Sequence, residues 1–165
     1  MSRSVSGPVA AAVAGLAAGA AMLVRLLTVA MLAVLGYQVF MRSALASPPS
    51  WSEEVTLLGF TWAVLLAVAC GVRDAIHVRM DLLVDAAPPW AQAALERVVL
   101  AGIVFIGGFL AWAGFDYALA SMGTTSAAVA YPMPLLYASA VVCGALIALF
   151  ALERLLTSRA AERQT

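Results

Sequence analysis

Long apolar stretches dominate this chain of 165 residues and leave few ways for it to fold. Hydrophobic residues make up 64% of it and charged residues only 11%, whereas a soluble domain usually has about a quarter of its residues charged. So few charges could not cover a water-exposed surface. A bilayer core is about 30 Å thick, and a spanning helix needs roughly 20 mostly apolar residues. The sequence therefore predicts an all-α membrane protein.

Four stretches are long enough to span, and together they form a single four-helix membrane domain over residues 1–165. Arg25 sets the start of the first span, because a charge at mid-bilayer is costly and should lie near an interface. Residues 1–21 form an N-terminal apolar extension that either lies along the membrane surface or lengthens the first helix. Residues 153–165 form a cytoplasmic tail. We place the spans at roughly 22–43, 53–72, 97–117 and 132–152.

The arginines predict the orientation of these spans. The 118–131 connection has no arginine, and the 44–52 connection has only Arg42 at its edge. Because cytoplasmic loops carry the excess of basic residues, both termini should be cytoplasmic. Arg3 followed by an apolar stretch also fits a signal peptide, but no polar segment follows, so we expect the N-terminus to be retained. The arginines on the cytoplasmic side are Arg3, Arg73, Arg79, Arg97, Arg154, Arg159 and Arg163.

The second span opens at its outer end with Ser-Pro-Pro-Ser-Trp-Ser-Glu-Glu, residues 47–54. Ser50 and Glu53 fit a capping box, in which each side chain satisfies an early N–H group of the helix. Glu53 and Glu54 also complement the positive end of the helix dipole. Neither effect explains two acids beside a tryptophan at the outer surface. Trp51, Glu53 and Glu54 are therefore candidates for docking an external protein.

The connection between helices 2 and 3 holds the only histidine of the chain. Helical spacing would place His77 one turn from both Arg73 and Asp81. With Arg79, these residues predict an amphipathic segment at the membrane surface that contacts lipid headgroups. A lone histidine cannot ligate a haem on both faces, and one histidine with a few aspartates is too little for a zinc site. We therefore expect no cofactor.

Small residues in the third span, Gly107, Gly108 and Gly114, predict close helix packing, including contact with a partner subunit. Cys70 and Cys143 lie in apolar runs and are interpreted as packing residues.

None of the spans has paired acids, or an acid with a basic partner, near its centre. An ion pathway within this chain therefore lacks its residues, and we expect no enzymatic activity. The net charge of zero gives no reason to expect nucleic acid as a partner.

The order of short motifs along the chain resembles the DctQ family, the small membrane subunit of the tripartite ATP-independent periplasmic (TRAP) transporters. Each motif is weak alone, but their order and spacing are specific, and the similarity runs over roughly 25–150. The matching residues are Gln38–Arg42, Ser47-Pro48, Trp51–Glu54, Trp62, Arg73, His77–Leu83, Pro88, Thr124-Thr125, Pro132 and Tyr137.

This resemblance implies a multi-pass protein of the bacterial inner membrane, in a three-part importer driven by an ion gradient. Its partners would be a large permease subunit, a periplasmic substrate-binding protein and membrane lipids. The large subunit would carry an organic acid, and this chain would be its scaffold. The alternatives are a small homo-oligomeric transporter, which would need central polar residues, and the anchor subunit of another membrane complex. A redox anchor would need paired histidines or cysteines.

Overall fold

The described part of the chain is a set of long helices. The computed structural model describes residues 8–47, 49–73 and 89–162. These residues form four helices that are long and apolar enough to cross a membrane, which confirms the predicted all-α membrane fold. The helices are α1 (Pro8–Leu45), α2 (Trp51–Arg73), α3 (Pro89–Ala120) and α4 (Pro134–Glu162).

The first helix is continuous over 38 residues, or about 57 Å at 1.5 Å per residue. Residues 8–21 therefore lengthen the first helix, which is one of the two alternatives from the sequence. Val13, Ala17 and Ala20 are buried, and their i, i+4, i+7 spacing places them on one face of the helix. At the other end of the chain, α4 continues through most of the segment expected as a tail.

The helices pack in the order α1–α2–α4–α3. The most extensive contact joins α3 to α4, and the other main contacts join α1 to α2 and α2 to α4. As a result α1 and α3 lie at the two ends of this series and keep broad exposed faces, with Val29 on α1 and Phe105 on α3 among the exposed apolar residues. In a membrane such faces meet lipid or another helix, so they carry no penalty of the kind that water would impose.

The contact between α3 and α4 depends on glycines. A Cβ atom at Gly107 would lie 2.8 Å from the Ala148 nitrogen, and one at Gly144 would lie 2.5 Å from the Ala111 nitrogen. At Gly114 an added Cβ would be 2.9 Å from the Ala140 Cβ atom and 3.0 Å from a backbone nitrogen. Because any side chain here would collide with backbone atoms, these small residues are what allows the two helices to approach so closely.

Polar contacts join α2 to α4 along their length. The Trp62 indole N–H donates to the Leu135 carbonyl at 3.2 Å, and the buried Cys143 thiol donates to the Leu65 carbonyl at 2.8 Å. These bonds cross the interface between the two helices and fix the position of one helix along the axis of the other.

The C-terminal end of α2 and the N-terminal part of α3 meet at Arg154 of α4. Its guanidinium donates to the Val72 carbonyl at 3.2 Å and lies 3.9 Å from the Glu96 carboxylate of α3. The last carbonyls of a helix have no partner within that helix. Arg154 therefore caps α2 and ties it to α3 and α4.

Candidate functional site

The sharp connection between α1 and α2 brings the first two docking candidates against α1. Ala46 takes a left-handed conformation, with φ 49°, and the Ser52 hydroxyl donates to the Pro49 carbonyl at 2.7 Å. The Trp51 ring stacks on Tyr37 with centroids 6.0 Å apart. The Gln38 amide donates to the Glu53 carboxylate at 3.5 Å. Glu53 thus bonds to α1 in place of the capping box expected with Ser50.

Glu54 reaches across the molecule to the loop between α3 and α4. One carboxylate oxygen accepts the Ser126 hydroxyl at 2.7 Å and the Val129 N–H at 2.9 Å. The other oxygen accepts the Ala128 N–H at 2.9 Å. Hydrogen bonds to an ionised acceptor are roughly twice as strong as neutral ones. Glu54 is therefore a latch that holds the loop against the start of α2.

The loop, residues 121–133, has a hairpin form of its own. The Ser126 N–H donates to the Tyr131 carbonyl, and the Met133 N–H donates to the Thr124 carbonyl, each at 3.0 Å. Ala130 is left-handed, with φ 57°, which costs energy for a residue with a Cβ atom. The N–H groups that bond to Glu54 come from the tip of this hairpin. The carboxylate therefore holds the tip, which the two backbone hydrogen bonds of the hairpin do not include.

Aromatic residues support the loop at its base and beside the latch. Tyr117 at the end of α3 stacks on Tyr137 of α4, with ring centroids 5.9 Å apart. Tyr131 is partly buried, and this burial raises the pKa of its phenol, with a further increase from the Glu54 carboxylate. Tyr131 thus stays a neutral hydrogen-bonding group at any physiological pH.

A shallow cavity of about 440 Å³ lies beneath the hairpin, lined by Glu54, Ser126, Tyr131 and Met133 among others. Its only carboxylate is the one already bonded to the loop. Among the described residues, histidine, cysteine and acidic side chains form no cluster of three that could hold a metal ion. The hairpin and the start of α2 thus form one shaped surface at this end of the molecule.

The candidate residues from the sequence analysis have different environments in the structure. Trp51 and Glu53 are exposed, and Glu54 is partly buried and bonded to the loop. Arg73 ends α2, whereas His77, Arg79 and Asp81 lie outside the described residues.

The three glycines of the third span also differ in what they contact. Gly107 and Gly114 pack against α4 of the same chain, whereas an added Cβ at Gly108 would meet open space. Of the three, only Gly108 is free to approach a partner. Sequence reasoning missed Gly144, although its place in α4 completes the contact with Gly107. It also missed the Glu54 latch, whose partners are Ser126, Ala128 and Val129.

Comparison with known proteins points to one family. Residues 31–161 match the DctQ component of the tripartite ATP-independent periplasmic transporters. The chain is similar to the sialic acid TRAP transporter small permease protein SiaQ of Vibrio cholerae serotype O1, with 30% identity over 116 residues, which are 66% of each chain. It is also similar to the C4-dicarboxylate TRAP transporter small permease protein DctQ of Pseudomonas aeruginosa, with 33% identity over 73 residues. That second match covers 44% of this chain and 35% of the relative, so the chain spans less than two thirds of either relative's length.

Proposed function

Because the chain belongs to the DctQ family of tripartite ATP-independent periplasmic transporters, we propose that it is the small membrane subunit of an importer for an organic acid, driven by an ion gradient. The family consists of transporter permease subunits rather than enzymes, and it is located in the inner membrane. Its small subunits function with a large permease subunit and a binding protein. The two relatives are named for sialic acid and for C4-dicarboxylates, and both substrates are carboxylic acids.

Within this importer the chain acts as a scaffold and does not carry the substrate. The observation that supports this role is the position of its charges. In the described parts of α2, α3 and α4 the charged residues lie close to the ends of the spans, as with Glu54, Asp116 and Arg154. Arg25 of α1 is a lone cation that has no acidic neighbour among the described residues. A pathway for an ion and an organic acid requires polar groups near the middle of the membrane. Those groups would come from the large subunit.

The end of the molecule that carries the Glu54 latch is the docking surface for the periplasmic binding protein. The arginine distribution supports an outer position for this end. Trp51 is 41% exposed there, Glu53 is exposed beside it, and the hairpin tip is exposed next to both. Glu54 takes part by shaping the loop, because its oxygens already accept three hydrogen bonds. Trp51 supplies an aromatic anchor of the type enriched at protein interfaces.

The opposite end lies in the cytoplasm, with Arg73–Asp85 at the membrane surface. Arg73, His77 and Arg79 would face anionic headgroups, with Asp81 among them, since basic residues next to a span are attracted to the negative surface of the inner leaflet. This segment would brace α2 against α3. Only Arg73 of this segment belongs to the described residues.

Co-purification tests the assembly directly. The cognate large subunit, carrying an affinity tag, is expressed with and without this chain, and the detergent-solubilised complex is separated by size. We expect one complex that contains both proteins and survives dilution. If the two proteins elute separately under mild detergent while each remains folded, the scaffold role is wrong.

A further inference from the structure

Arg25 is a cation in the middle of an apolar helix. It lies 17 residues after Pro8 and 20 residues before Leu45, the two ends of α1. Its side chain is exposed, and none of the described residues of this chain offers it a hydrogen bond or an ion pair. Charged side chains within spanning helices are rare and are almost always paired. The neighbour that Arg25 lacks among the described residues is therefore expected from another protein.

The packing of α1 on α2 sets the depth of Arg25. Leu23 and Leu27, which flank it along the helix, line an apolar cavity of about 310 Å³ together with Gly59 and Trp62. Trp62 is the central residue of α2, eleven residues from either end (62 − 51 and 73 − 62). At 1.5 Å per residue it is roughly 16 Å from each end of that span. Arg25 therefore lies at about mid-bilayer depth.

The inner half of α1 supports this depth. Val13 and Ala17 belong to the same apolar cluster as Ala69 and Val72, so residues 13–17 already align with the inner end of α2. Arg25 is eight residues further along α1 than Ala17. A first span at 22–43 predicts Arg25 at the interface, whereas the packing of α1 against α2 favours a deeper position.

The face of α1 that carries Arg25 is exposed with respect to the described residues of this chain. Ala18, Met22, Val29 and Leu32 recur at steps of three and four residues around Arg25 and are all exposed. Such spacing defines one stripe along a helix. The stripe is apolar except for a single guanidinium at its centre, and α1 lies at one end of the helix series.

A lipid headgroup does not explain this arrangement. An arginine near a helix end reaches the headgroups by extending its side chain, but Arg25 is eight residues, or about 12 Å, from Ala17 at the inner end of α2, and this distance is longer than that side chain. A carboxylate at the same depth fits better, because it accepts two parallel N–H bonds from a guanidinium and neutralises its charge.

We propose that this face of α1, residues 18–32, is the surface that packs against the large membrane subunit, and that a carboxylate of that subunit pairs with Arg25 at mid-bilayer depth. The proposal rests on the proposed function, since it requires that subunit as a partner. It also implies different surroundings for the two ends of the helix series, because α3 at the other end would then face lipid over most of its outer surface.

Photo-cross-linking in the co-expressed complex tests where the large subunit lies. A benzophenone amino acid replaces Val29, on the Arg25 face, or Phe105, on the outer face of α3 and 75% exposed. We expect a cross-link to the large subunit from position 29 and none from position 105. Cross-links from position 29 that reach only lipid, or only a second copy of this chain, would overturn the proposal.

Substitution of Arg25 tests the ion pair. Arg25→Leu leaves a buried partner carboxylate unpaired, so we expect the large subunit recovered with this chain to fall by roughly tenfold or more. Arg25→Lys keeps the charge and should retain most of the complex. The matched control is Arg42→Leu, which removes an exposed arginine near the outer end of the same helix and should change nothing.

The amount of each variant in the membrane is measured in parallel, so that loss of partner is not confused with loss of this chain. An intact complex with Arg25→Leu overturns the ion pair, and the proposed function then stands. Failure of the wild-type chain to recover the large subunit overturns the proposed function itself.

Discussion

The close approach of α3 and α4 predicts how much a single side chain at their contact would cost. In Gly144→Val the added Cβ would lie 2.5 Å from the Ala111 nitrogen, 2.6 Å from the Gly107 oxygen and 2.9 Å from the Ala111 Cα atom. All three are backbone atoms, so no rotamer change relieves the collision. The helices must separate by about 1 Å, and overpacking of this kind costs about 1–3 kcal/mol.

The two γ-methyl groups of valine add to this cost, and the gain in helix propensity over glycine returns only a few tenths of a kcal/mol. We therefore expect a net loss of about 2 kcal/mol or more, or a fall in melting temperature of roughly 4–8 °C for a chain of this size. The matched control is Gly108→Val, since Gly108 is the next residue to Gly107 but faces open space.

Thermal unfolding in detergent, followed by loss of the monodisperse peak in size-exclusion chromatography, measures both variants. The control should lie within 1 °C or so of the wild type, because it meets no neighbour. Equal melting temperatures for the two variants would show that α3 and α4 do not approach backbone to backbone at Gly144, and the packing described above would be wrong.

Three further predictions concern the two ends of the molecule. Glu54→Gln removes the charge that receives three hydrogen bonds from the loop, so a cysteine at Ala128 should react with a water-soluble maleimide several-fold faster than in the wild type. Arg154→Met keeps the apolar stem but removes the donor to the Val72 carbonyl, and it should cost about 1–2 kcal/mol of stability. Cysteines at Ala75 and Asp85 should react only with reagent supplied from the cytoplasmic side.

Each of these has a control with a defined contrary outcome. Glu53→Gln should leave the labelling of the loop unchanged, and equal rates for both glutamine variants would refute the latch. Glu96→Gln removes only the half-exposed ion pair and should cost less than 1 kcal/mol; a larger loss than Arg154→Met would contradict the capping role. Labelling of residue 75 or 85 from the periplasm in intact cells would contradict the predicted topology.

The sequence predicts the number and type of the helices because membrane spans depend on apolar length alone. It does not predict which glycine faces inward. Gly107 and Gly108 are adjacent, so they point about 100° apart on a helix, and only the position of α4 decides that Gly107 is covered. Gly144 could not be identified before its partner helix was placed, because nothing in its local sequence distinguishes it.

The two most informative side chains depend on contacts that local sequence does not show. Glu54 reads as a helix-dipole residue at the start of α2, and its partners lie more than 70 residues later in the chain. The sequence predicts Arg25 near an interface because a mid-bilayer charge is costly. The proposed deeper position rests on the packing of residues 13–17 against α2, which local sequence does not show.

The central claim is that this chain is a required but non-transporting subunit of a three-part importer, and uptake into proteoliposomes tests it most directly. Vesicles receive this chain alone, the cognate large subunit alone, or both, each with the cognate binding protein, a radiolabelled organic acid outside and an inward sodium gradient. We predict uptake only where both membrane proteins and the binding protein are present. Gradient-driven uptake by this chain alone, or full uptake by the large subunit without it, would contradict the account.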